Sequence, residues 1–152
     1  MMDWSRIFPK IDGTYEGPSI PFYFLIVVAV INTARSLIHV FAPDGGAQLI
    51  AGIPIDVAGG ANIVAIFAQW GAVQLILALL IWLVILRYRF LIPTMLGAVA
   101  LEHLLRLGVG YLKPLTITAP PPGAVGSEIL LPLSLIALIW SLWRKDDGHS
   151  RV

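Results

Sequence analysis

The sequence predicts an all-α protein: an integral membrane four-helix bundle with both termini cytoplasmic. Three observations predict it. The chain has 152 residues, of which 58% are hydrophobic and 12% charged, against about a quarter charged in a soluble domain. Its apolar residues gather into four blocks, Ile20–Phe41, Asn62–Leu86, Phe90–Leu112 and Val125–Trp143, each about long enough to cross a hydrocarbon core of roughly 30 Å. Four such blocks leave too little polar surface to cover them in water. Lys and Arg, finally, fall mostly on one side if the chain crosses four times. Arg6, Lys10, Arg87, Arg89, Arg144, Lys145 and Arg151 share that side and Lys113 takes the other, which orients the bundle by the positive-inside rule.

Residues 1–152 are read as one domain. The first block is full length, and the segment before it lacks the short basic start and small-residue cleavage site of a signal peptide. It is therefore expected to be a retained helix. Between the first two blocks, APDGGAQLIAGIPIDVAGGA is rich in glycine, proline and alanine and is expected to lie at the interface. Arg87-Tyr88-Arg89 is so short a connection that the second and third helices must be antiparallel neighbours, with Pro93 in the first turn of the third. The last connection, KPLTITAPPPGA, is stiffened by three consecutive prolines. Phe22, Tyr23, Tyr88, Trp140 and Trp143 at one side, and Trp70 and Tyr111 at the other, fit interfacial anchoring.

Polar groups are unevenly spread along these blocks. In the first helix Asn32, Arg35 and His39 fall within an arc of about 60°, near its outer end. Asn62, Gln69 and Gln74 occupy the outer half of the second helix, whose inner half LILALLIWLVIL offers only the Trp82 indole N–H. Glu102, His103 and Arg106 run from the middle of the third helix outward, and Gly126-Ser127-Glu128 opens the fourth. A charge in a helix centre costs about 2.5–3.5 kcal/mol on insertion scales. Arg35, Glu102, Arg106 and Glu128 sum to zero, so they are expected to pair. Glu102 and Arg106 have helical i, i+4 spacing, leaving Glu128 or Glu102 for Arg35. Glu128 is expected in a first turn, where the helix dipole favours an anion, with Pro132 bending the helix beyond it. Ala61, Ala65, Ala68 and Ala72, with Gly108 and Gly110, are expected to let helices approach closely.

These residues support a ligand pocket in the exterior half of the bundle, with Asn32, Arg35, His39, Gln69, Gln74 and Arg106 as binding residues. Glu102, Glu128 and His103 are the candidates for acid–base chemistry on a lipophilic substrate. A buried ion-pair network that only fixes helix register is the competing reading. No metal and no cofactor is expected. His39 and His103 differ in height by roughly 10 Å, too much for a shared haem, and adjacent Glu102 and His103 are expected to point apart. The absence of cysteine excludes thiol–disulfide chemistry. Net charge of +1 argues against nucleic acid. The expected partners are membrane lipids, a lipophilic small molecule, and a second copy or a larger membrane complex.

With ARSLIHVFAPDG leaving the first helix and Arg106 late in the third, the four-helix layout resembles the small bacterial membrane proteins called DoxX-like. The resemblance implies the same fold and a bacterial inner-membrane location. It carries over no functional residue.

Overall fold

The computed structural model describes residues 13–117 and 120–143. Among these residues four helices follow in order, α1 Ser19–Phe41, α2 Gly60–Leu86, α3 Ile92–Leu112 and α4 Pro122–Ser141, with a 3-10 turn at Arg89–Leu91 leading into α3. All four are long and apolar enough to cross a membrane, and no strand is present among the described residues. Apolar side chains such as Ile66, Val73, Leu80, Leu104, Leu105, Ile129 and Ile136 remain exposed around the bundle, as a lipid-facing surface requires. Of the basic residues that orient the chain in sequence, Arg6, Lys10, Arg144, Lys145 and Arg151 lie outside the described residues.

The helices pair as two antiparallel hairpins, α1 with α2 and α3 with α4; the hairpins meet only loosely, α2 against α3 no more closely than α1 against α4. The buried positions explain the pairing. On α2 the run Gly71, Gln74, Ala78, Ile81, Ile85 alternates steps of three and four residues, and on α3 the run Ile92, Leu96, Val99, His103 does the same. That spacing keeps one stripe of each helix against its neighbour at a shallow crossing angle.

The alanine stripe is a correction. Ala61, Ala65 and Ala72 are exposed and Ala68 half-buried. Gly108 and Gly110 are likewise open, with nothing within 4 Å of where a side chain would start. The close approach falls instead at Gly71, packed on His39 and Ser36 of α1. Because α2 is apolar on every face, hydrophobicity alone does not say which stripe turns inward.

The apolar core of Leu25, Val28, Ala29, Ile81, Val84, Ile85, Ile92, Leu96, Val99 and Ala137 fills the half of the bundle near the start of α1 and the end of α2. There the Trp82 indole N–H donates to Thr33 Oγ1 at 3.0 Å, and that hydroxyl donates to Ala29 O at 2.7 Å, so the indole proton is satisfied without water. The opposite half buries Asn32, Ser36, His39, Gln74, His103 and Ser127. The bundle is thus mostly apolar toward one end, where Ser134 and Ser141 are buried polar side chains, and polar toward the other.

Candidate functional site

A cleft of about 650 Å³ opens at the polar end, within the usual size range of small-molecule sites. Every helix contributes to it: Arg35 and His39 from α1, Phe67 and Trp70 from α2, Arg106, Leu107 and Gly110 from α3, and Gly123, Ala124 and Glu128 from α4. Ile50 and Ala51 of the α1–α2 loop and Leu115, Ile117 and Pro120 of the α3–α4 connection complete mostly apolar walls.

Two guanidiniums form its base. Arg35 Cζ lies 5.4 Å, and Arg106 Cζ 5.0 Å, from the centroid of the Trp70 ring, inside the range of cation–π attraction. Both also reach the first turn of α4, where a Cβ placed on Gly123 would stand 3.6 Å from Arg35 Nη1 and 3.9 Å from Arg106 Nη1. Trp70, expected as an interfacial anchor, is therefore the platform on which both cations rest. An aromatic one turn from a cluster of cations in depth was the available signal.

Only one of the two cations is paired with a carboxylate among the described residues. Arg106 Nη2 donates to Glu102 Oε1, as their spacing predicts, and Gln74 Nε2 donates to the same oxygen at 3.2 Å, tying the two hairpins together. Arg35 departs from expectation: it makes no ion pair with Glu128 or Glu102 within 4 Å. Glu128 is exposed on the cleft wall. Helix α4 starts earlier than the apolar block suggests, because Pro122 occupies its first turn, where a missing N–H costs nothing. Glu128 consequently lies beyond the first turn and away from the helix dipole. Arg35 Nε and Nη2 and Arg106 Nε and Nη1 are shut off from solvent and meet no acceptor among the described residues.

Behind this base sits His103. Its Nδ1 is 3.2 Å from Ser127 Oγ and 3.4 Å from Glu102 Oε2, so Glu102 and His103 converge where their sequence adjacency suggested divergence. Ser127 Oγ donates to Gly123 O at 2.9 Å. Its lone pairs are left to accept, which fits a neutral His103 carrying its proton on Nδ1. A serine that accepts from histidine is not an activated nucleophile. Ser127 and His103 therefore run as a structural chain from α3 to α4. Among the described residues no group of three or more His, Cys, Asp or Glu side chains gathers as a metal site.

The remaining sequence candidates separate clearly. His39 lines the cleft, stacks 4.9 Å from Trp70, and donates from Nδ1 to Gly45 O at 2.7 Å. Asn32 and Gln74 are buried below the cleft, whereas Gln69 is exposed and forms no part of its lining.

No family model, curated protein or solved structure matches this chain. The site's chemistry is therefore read from its own geometry.

The α1–α2 loop is held as a wall by Asp44. Its Oδ2 accepts from the N–H of Leu49 at 2.8 Å and of Gln48 at 3.1 Å, and its Oδ1 from that of Gly46 at 2.9 Å. Gly45 and Gly46 take φ of 60° and 73°, a left-handed pair that only glycine adopts freely and that turns these amides inward. The amides, Leu49 foremost, hold the Asp44 carboxyl below the usual carboxylate range by stabilising its charged form. A depressed folded-state pKa contributes stability above the unfolded value of about 3.9 and loses it as pH falls through the folded value. Amide exchange at Gly46, Gln48 and Leu49, corrected for intrinsic rates, is expected to stay slow from neutral pH to about pH 4 and to accelerate below. Equal protection in Asp44→Ala at neutral pH would refute this role.

Proposed function

We propose that this is a small multi-pass protein of a bacterial inner membrane that binds an amphipathic small molecule in the cleft, its polar head held by Arg35 and Arg106. One observation carries the reading: of two cations at an apolar cleft only Arg106 holds a carboxylate, and four of their nitrogens lack acceptors among the described residues. An unmet buried donor costs about 1–3 kcal/mol. A network built only to fix helix register would pair each cation; this one leaves donors for an anionic or carbonyl head.

The reading includes an orientation and an affiliation. Arg87 and Arg89 stand at the end opposite the cleft and Lys113 at its rim, so the positive-inside rule turns the cleft outward and both termini to the cytoplasm. The affiliation is with the DoxX-like layout, a likeness in fold and membrane location.

Lipid-soluble molecules retained by the purified protein in mild detergent are measured by mass spectrometry. Wild type is expected to retain one amphiphile in stoichiometric amount. Arg35→Met, which keeps the apolar stem and deletes a cation without a carboxylate partner, is expected to unfold at an unchanged or higher temperature and to retain at least about tenfold less. Equal retention by the variant defeats the reading. A second reading, acid–base catalysis, draws on the 3.4 Å approach of Glu102 to His103. It differs in outcome, because an enzyme returns the molecule chemically changed.

A further inference from the structure

Resting on that reading, we infer that the head group is a monoanion, a carboxylate or a phosphodiester, and not a phosphate monoester. The inference follows from the charges at the base of the cleft. Arg35 and Arg106 are permanently cationic. Glu102, paired with Arg106, holds the one carboxylate bonded to either of them among the described residues. With both imidazoles neutral, a form that makes the His39 bond to Gly45 O and the His103 contact with Ser127 Oγ, the histidines add no charge. On the exposed rim, Lys113 and Glu128 cancel. The base is left with a single positive charge.

A ligand of charge minus one brings that base to neutrality. A dianion leaves a net negative charge among apolar walls, where an uncompensated ion is heavily penalised. The position for the oxyanion is also defined. Gly123 lacks the side chain that would fill the space between the two guanidiniums, and it sits in the first turn of α4, where the helix dipole favours an anion. The guanidinium nitrogens without acceptors lie on these same two side chains. An apolar body then lies along Trp70, Phe67, Leu107 and Ile117.

Three probes test this on the full-length protein in nanodiscs: laurate, dioctyl phosphate and dodecyl phosphate. Dioctyl phosphate is a monoanion throughout. Dodecyl phosphate passes from monoanion to dianion near its second pKa of about 6. Its affinity relative to dioctyl phosphate is expected to fall by about tenfold between about pH 5 and about pH 8, and using the ratio cancels differences in tail and in protein titration. Glu102→Gln, which adds one positive charge to the base at constant shape, is expected to abolish or reverse that fall. The stronger of laurate and dioctyl phosphate identifies the head as carboxylate or phosphodiester. A ratio that is flat or rises with pH in wild type overturns the monoanion inference and leaves the binding reading standing, whether or not the Gln variant folds. Failure of all three probes to bind overturns the binding reading itself.

Discussion

Gly71→Ala is expected to destabilise the protein, although alanine is the better helix former by about 1 kcal/mol. The reason is the α1–α2 contact. A Cβ on Gly71 would stand 2.5 Å from His39 Cβ and 3.1 Å from Ser36 O. Neither atom is the free end of a flexible side chain, so the helices themselves must separate. Overpacking of this kind costs about 1–3 kcal/mol and more where backbone has to move. The damage reaches the cleft, because His39 links this contact to Trp70 and to Gly45 of the loop. Gly108→Ala is the matched control. Nothing lies within 4 Å of that position, so the same substitution should raise stability by its helix propensity. Thermal unfolding in one detergent compares the two, with Gly71→Ala expected below wild type and Gly108→Ala above it. Equal shifts in the same direction would remove Gly71 from the helix interface.

That pair of glycines also marks where sequence reasoning works in this protein and where it stops. The four spans are legible because apolar runs of bilayer length have few alternatives, and the observed helices begin and end close to those runs. The polar half of the bundle is legible for the same reason, since each intramembrane charge is costly enough to need a purpose. Glu102 and Arg106 are legible because their pairing is local. What required coordinates is rotation and reach. On a helix as uniformly apolar as α2, alanines and Gly71 compete for the inward stripe, and only packing against α1 decides. Trp70 reads as an interfacial anchor until α1 and α3 place guanidiniums beside it. The partner of Arg35 is a question about four helices at once. Sequence supplied a charge sum of zero, and the fold leaves Arg35 without the carboxylate that the sum implied.

The second large effect is expected at Glu102 and Arg106, where it separates a structural network from a functional one. Glu102→Leu removes the carboxylate that Arg106 and Gln74 both address and leaves two cations at the base of an apolar cleft. Breaking a buried pair from one side costs about 3–5 kcal/mol. The side chains of Glu102 and Arg106 are 23% and 15% exposed, which places the expected loss toward the lower end. Glu102→Leu/Arg106→Leu should recover most of it, because replacing both partners by apolar groups is often neutral or stabilising. The coupling is read from a double-mutant cycle of unfolding free energies. If the double variant is as unstable as Glu102→Leu, charge does not link the two residues, and their proximity is incidental to packing. If stability returns while retention of the amphiphile does not, the pair is dispensable for the fold. Two costly charges in a membrane are then kept for the molecule they hold.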